Sequence, residues 1–327
     1  MAELFADLLG HPLAVRLLEA ALLRRRLAPA YLFSGPDGVG RRLATLRFLE
    51  GVLAPVQDGV PVGDPALRQR LAQGNHPDLL WVEPTYSHQG QLVPVSRAEA
   101  EGVSRRAAPQ LRLDQVREVS RFLARRPVEA GRCLVVLEGA EAMAEGAANA
   151  LLKTLEEPGD GLLVLITAAP EQLLSTIRSR CQTIPFCRLP PDLVEQVLAS
   201  LPPAPPEEDT GKAADPPELA ELAAGSPGGL LHHRRQWRAL PEGMAGRLLA
   251  LGANPIEALD LARDLSEGLD GEQQLWVLDW WQIALWRRRG SPRQLHRLER
   301  LRSQLRSYVQ PRLAWEVALL ELAGGGA

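Results

Sequence analysis

Along the first 187 residues, short and nearly continuous apolar runs alternate with stretches whose apolar side chains recur every three or four positions. This is the pattern of strands covered on both faces and joined by helices, as in a parallel sheet. The runs are 30–34 (AYLFS), 79–83 (LLWVE), 133–137 (CLVVL) and 162–167 (LLVLIT), and helices are predicted over 12–26, 41–53, 113–125 and 142–157. In the last helix Met143, Ala147, Leu151 and Leu155 form one apolar stripe, which Pro158 and Gly159 should terminate. Residues 54–65 and 86–109 are rich in Gly, Pro and polar side chains and read as loops or insertions with the least order. The stretch 201–217 holds six prolines and reads as a loop or linker. Beyond it the pattern is helical throughout, beginning with a short helix over 218–224 and a glycine-rich break at 225–229.

Composition narrows the class without naming a partner. The chain has 327 residues, 46% hydrophobic and 24% charged, with a formal charge of −3, as in ordinary globular proteins of two or three domains. Cys133, Cys181 and Cys187 are the only cysteines and include no CxxC pair, which argues against a disulfide framework or a cysteine-rich zinc site. Glu3 and Asp7 stand where a signal peptide would carry basic residues, and no apolar run approaches the ~20 residues of a membrane span. A cytoplasmic protein is expected. Six of the seven tryptophans lie in the last third, and the helical spacing of Trp276, Trp280 and Trp281 assigns them to packing rather than base stacking. From Arg287 to Arg312 there are nine arginines against one acid, Glu299. That is read first as a solvated helix face, with a nucleic-acid-binding segment as the alternative.

The most specific chemistry follows the first strand. Gly35–Arg42 reads GPDGVGRR, with the glycines (Gly35, Gly38, Gly40) and the length of a phosphate-binding GxxxxGK[ST] loop between strand and helix. The lysine that should reach the β- and γ-phosphates is Arg41, and the hydroxyl that should ligate magnesium is Arg42. A planar guanidinium fits poorly in a loop shaped around an ammonium, and a second cation beside the metal position repels the metal. At the end of the third run, Glu138 can stand for the magnesium-ligating acid, but Gly139 occupies the place of a water-activating glutamate. Losing a general base alone costs about 10²–10⁴-fold in rate. These departures predict a loop kept for its turn geometry rather than for productive nucleotide binding.

With these residues in hand, the chain resembles the delta prime subunits of the bacterial DNA polymerase III clamp loader, a family of the AAA+ fold. The carriers are AYLFSGPDGVGRR at 30–42, GNHPDLLWVEP at 74–84, EGAEAMAEGAANALLKTLEEP at 138–158, TIRSRCQTIPF at 176–186, GSPGGL at 225–230 and QPRLAWEVALL at 310–320. The resemblance implies an α/β AAA+ P-loop domain with a parallel sheet at 1–187, a small helical lid at 188–235 and an all-α C-terminal collar at 236–327. It also implies that Arg180, within the Ser179-Arg180-Cys181 triplet, is an arginine finger acting in trans on ATP-Mg held by a neighbouring subunit. Thr167 matches a sensor threonine, and Ser226-Pro227-Gly228-Gly229 lacks the second sensor arginine of hydrolysing relatives. The implied partners are the gamma/tau ATPase and delta subunits, and the sliding clamp and primed DNA through the assembled complex. The implied role is a non-hydrolysing subunit of the polymerase III holoenzyme with no cofactor of its own. Many members carry a four-cysteine zinc module, but 51–76 holds no cysteine, so no zinc is expected and His76 reads as a hydrogen-bonding residue. Two other readings are an active AAA+ ATPase using Arg41, Glu138 and Thr167, and a DNA-binding module using the Arg287–Arg312 segment.

Overall fold

The computed structural model describes residues 4–57, 59–98, 100–103, 108–157, 159–201, 215–288, 291–307 and 309–324. The chain forms two compact units, 1–200 and 201–327. The first contains strands β1 (Ala30–Ser34), β2 (Val56–Gln57), β3 (Val60–Pro61), β4 (Leu79–Val82), β5 (Thr85–His88), β6 (Gln91–Pro94), β7 (Leu134–Leu137), β8 (Leu162–Thr167) and β9 (Gln182–Pro185). Its helices are α1 (Pro12–Leu23), α2 (Arg41–Leu53), α3 (Pro65–Ala72), α4 (Leu113–Leu123), α5 (Glu145–Glu156), α6 (Ser175–Arg178) and α7 (Pro191–Ser200). The second unit is helical among its described residues: α8 (Glu218–Ala223), α9 (Pro227–Ala239), α10 (Met244–Leu249), α11 (Pro255–Gly268), α12 (Gly271–Arg287), α13 (Pro292–Arg306) and α14 (Pro311–Gly324).

Five strands make one parallel sheet in the order β4-β7-β8-β1-β9. Every residue of β7 and β8 is buried, which is why both read as unbroken apolar runs. The predicted stripe of α5 faces the same core: Ala147, Leu151 and Leu155 are buried beside Val135, Leu137, Leu163 and Leu165, with Met143 packed at the margin. Each fully buried leucine there contributes roughly 1.5–3 kcal/mol. Of the residues expected to end α5, Pro158 lies outside the described residues.

Several expectations are corrected. The sheet has a fifth strand, β9, whose Gln182 and Thr183 are exposed and which buries only Ile184 fully, so its sequence carries no apolar run. The segment 86–109 is not wholly loop. Gln89 and Gly90, at φ +49° and +79°, form a two-residue turn between β5 and β6, and Val93, Ala98 and Val103 close a small core with Tyr86 packed against it. Within 54–65, β2 and β3 pair antiparallel. The α5 region opens with a 3₁₀ turn at Ala140–Ala142, and α1 and α4 stop short of their predicted ends. Residues 202–214 of the proline-rich stretch lie outside the described residues. The expected limit at 187/188 precedes α7, which belongs to the first unit, and the one at 235/236 falls within α9.

Polar anchors hold the segments that lack apolar ballast. Buried Glu50 accepts from Arg68 Nε at 2.9 Å and Nη2 at 3.1 Å, tying α3 to α2 across the cysteine-free stretch 51–76. Asp78 is also buried and accepts the backbone N–H groups of Val128, Glu129 and Ala130 at 2.7, 2.7 and 2.8 Å. Burial pushes its carboxyl up, but these hydrogen bonds to the charged form outweigh burial and hold it below the ordinary range. His76 Nδ1 accepts from the Asp78 N–H at 3.2 Å. In the second unit Trp276, Trp280, Trp281 and Trp315 are buried, with Trp276 Nε1 donating to His233 Nδ1 and Trp315 Nε1 to Gln274 Oε1, both at 3.0 Å. Trp286 is exposed.

Burial holds His11, His76 and His233 below the ordinary histidine value. The unfolded chain therefore takes up protons first as pH falls below about 6.5, and folding stability drops until the folded-state histidines also protonate. Thermal melts between pH 7.5 and 5 should show this decline, reduced in a His11→Gln variant; a flat profile contradicts it.

Candidate functional site: a charge-paired loop and a distant arginine

The loop after β1 is shaped by close contacts that leave little latitude. Gly35 has φ +151°, and a Cβ there would lie 2.3 Å from the Phe186 carbonyl oxygen. Its N–H donates to the Thr167 carbonyl at 3.2 Å. His11 Nε2 donates to the Val39 carbonyl at 2.7 Å and pins the middle of the loop. Gly40 then caps α2 in a left-handed conformation without a side-chain acceptor. The turn is thus the strand-to-helix connection expected from the glycine spacing.

The parallel register brings the sequence-identified residues of the loop to the carboxyl edge of the sheet. Thr167 ends β8 opposite Ser34 of β1, and Glu138 follows β7 on the other side of β8. A cleft of about 410 Å³ is lined by Asp37, Gly38, Gly40, Arg41, Arg42, Glu138 and Ile166, among others. Both arginines are engaged with acids. Arg41 is buried and its Nη2 bonds to the Asp37 carboxylate, while Arg42 Nη1 bonds to Glu138 Oε2 at 2.5 Å. Glu138 Oε2 also accepts from Trp81 Nε1 at 2.8 Å, and the Arg42 guanidinium lies 4.3 Å from the centre of the Trp81 ring. The two pairs leave the cleft with no net formal charge.

Thr167 is fully buried and its Oγ1 accepts the Ala169 N–H at 3.2 Å, so its hydroxyl caps the turn after β8. Gly139 has φ +63°, and a Cβ there would lie 2.8 Å from Cγ of Pro84. The place next to Glu138 therefore excludes any side chain without a shift of the Pro84 ring.

Arg180 lies elsewhere. It precedes β9, whose Gln182 pairs with Tyr31 near the start of β1, whereas the loop follows Ser34 at the other end of that strand. About 10–13 Å of strand separates the two edges. Arg180 Nη2 bonds to Glu156 Oε1 at 2.9 Å and Nη1 to the Thr176 carbonyl at 3.0 Å, and Ser179 Oγ donates to the same carbonyl at 3.1 Å. Cys181 packs against the sheet core, and burial pushes its thiol up to about 12, so it stays protonated at neutral pH.

In the arginine-rich segment Arg287 pairs with Glu218 and Glu221, Arg297 with Glu321 at 2.9 Å, Arg302 with Asp279 at 2.5 Å and Arg312 with Glu316 at 2.9 Å. Arg297 is buried. Arg289 lies outside the described residues. Arg287, Arg297 and Arg302 are thus committed to acids from other elements, and Arg312 to an acid of its own helix.

Sequence reasoning missed His11, Asp37 and Trp81. Only Asp37 carries a local signal, since it precedes Arg41 by four residues, the spacing at which side chains meet on a helical turn.

Residues 10–190 match the family model described as "DNA polymerase III, delta subunit", and residues 192–322 match "Cyanobacterial DNA polymerase III delta prime, C-terminal domain". The chain belongs to the DNA polymerase III delta prime family. It is 34% identical over 188 residues to the delta' subunit of Bacillus subtilis, covering 57% of this chain and 50% of that one. It is 38% identical over 209 residues to the delta' subunit of Pseudomonas aeruginosa, covering 62% and 55%. This delta prime chain thus spans about half the length of the curated relatives it matches. Its fold is like that of a DNA polymerase III gamma subunit-related protein from Thermotoga maritima, with a TM-score of 0.56, 16% identity and coverage of 96% of this chain and 99% of that one. That likeness is one of fold: an α/β unit with a parallel sheet followed by a helical C-terminal region.

Replacing Gly139 by alanine should cost about 1–3 kcal/mol through its positive φ and the contact with Pro84. The measurement is the urea midpoint of the first unit's unfolding transition in the full chain. An unchanged midpoint would show that Pro84 yields freely.

Proposed function

We propose that this chain is a non-hydrolysing subunit of a DNA polymerase III clamp loader, working in the cytoplasm to support ATP-dependent loading of a sliding clamp on primed DNA. Family membership supports the setting, since the curated relatives are named as delta' subunits of DNA polymerase III. The observation that carries the non-hydrolysing part is the Arg42–Glu138 ion pair. In a hydrolysing loop those two places hold a hydroxyl and an acid around magnesium. Here they satisfy each other directly, and the adjacent Asp37–Arg41 pair occupies the cation that would meet phosphate. An Mg-triphosphate would have to break both pairs and would find no base at Gly139, so these residues do not fit it. No zinc or nucleotide is assigned to this chain.

In the same reading the partners are the gamma/tau ATPase and delta subunits, with clamp and DNA engaged through the assembly. Arg180 acts as the arginine finger for ATP bound by a neighbour. Its position at the amino edge of the sheet, away from the chain's own cleft, supports action in trans. A guanidinium entering from outside offsets charge on the transferring phosphoryl group, an effect of about 10³–10⁵ in rate where such fingers operate.

Two outcomes are expected. Calorimetric titration of the isolated chain with Mg-ATP gives no saturable binding and no phosphate release; micromolar affinity with steady turnover would favour the active-ATPase reading instead. Arg180→Ala leaves assembly intact by gel filtration but lowers hydrolysis at the facing site by about 10³-fold or more. That loss is read as reduced clamp-stimulated ATPase of the reconstituted loader, and unchanged turnover would refute the finger.

A further inference from the structure

Glu156 occupies a helix end where the backbone dipole disfavours a carboxylate. It is the last residue of α5, followed by Glu157 at the C-cap, and a carboxylate at a helix C-terminus faces the negative pole of the helix. Its carboxylate reaches across to Arg180, from Oε1 to Nη2 at 2.9 Å. The same guanidinium is turned back through Nη1 onto the Thr176 carbonyl of its own turn. Arg180 is therefore folded against its own subunit by a carboxylate and a backbone oxygen.

On the proposed finger role, this geometry has a consequence for the reaction in the neighbour. A guanidinium with a carboxylate 2.9 Å away presents almost no net charge to a third group, and a triphosphate approaching the pair meets the carboxylate as well. To stabilise phosphoryl transfer, Arg180 must leave Glu156. The pair is half exposed on the carboxylate side, at 54%, and such exposed pairs are weak enough for a polyphosphate to displace.

We infer that Glu156 is a positioning residue that holds Arg180 in a withdrawn state, released when the neighbouring subunit fills its site with nucleotide. Its carboxylate competes with the neighbour's triphosphate for the same guanidinium. Breaking the pair is then part of the cost of engaging ATP across the interface, and the finger stays covered while that site is empty.

The test rests on the finger reading and separates the two claims. In the reconstituted loader, the Arg180-dependent part of clamp-stimulated hydrolysis is the part lost in Arg180→Ala. For that part, Glu156→Gln and Glu156→Ala should lower the half-saturating ATP concentration about two- to five-fold, the range set by an exposed ion pair. The maximal rate and the thermal midpoint of the isolated chain should stay unchanged, and in an Arg180→Ala background neither Glu156 change should have any effect. An unchanged or raised half-saturation, with Arg180→Ala still defective, overturns the role of Glu156 and leaves the finger standing. If Arg180→Ala itself leaves hydrolysis intact, the finger reading falls and this inference with it. A fall in maximal rate on Glu156→Gln would mean that the carboxylate aids the finger rather than withholding it, and also overturns the inference.

Discussion

Neutralisation of like-charged arginines inside a narrow turn is the constraint on which the cleft depends. Arg41 and Arg42 are consecutive at the start of α2, where the helix end already carries partial positive charge. Two guanidinium groups there are tolerable only because Asp37 and Glu138 meet them. Trp81 completes the arrangement by donating to Glu138 and lying under the Arg42 plane, and such a cation over an indole face gains about 0.5–1 kcal/mol at an exposed site. The groups that would meet a metal and a phosphate in a hydrolysing relative are therefore engaged with one another.

The parallel sheet gives this pairing its wider meaning. Because β1, β8 and β9 run the same way, everything that follows a strand gathers at one edge and everything that precedes a strand gathers at the other. The charge-paired cleft lies on the first edge and Arg180 on the second. One strand length therefore separates that cleft from the Arg180 side chain. The same sheet supports both because its central strands, β7 and β8, are buried along their whole length.

Much of this was legible in the sequence. The buried strands announced themselves as unbroken apolar runs, and α2 was read to its exact limits of Arg41 and Leu53 because the loop glycines mark its start. The edge strand β9 was not readable, since an edge needs few apolar residues and Gln182 and Thr183 face outward. The β5–β6 hairpin was hidden because its turn is Gln-Gly rather than the Asn-Gly or Asp-Gly pair that signals such turns. At the site, the substitutions at Arg41, Arg42 and Gly139 could be read directly, but their resolution could not. Arg42 finds Glu138 across 96 residues of chain, and the Trp81 contact to Glu138 spans 57, distances over which one sequence carries no signal.

The crowding between Gly139 and Pro84 carries an implication for how such a chain can change. Any side chain at 139 would need the Pro84 ring to give way, and an acid there would also compete with Glu138 for Arg42. Positions 139 and 84 are therefore coupled across the edge of the cleft, so that neither can change size without the other answering.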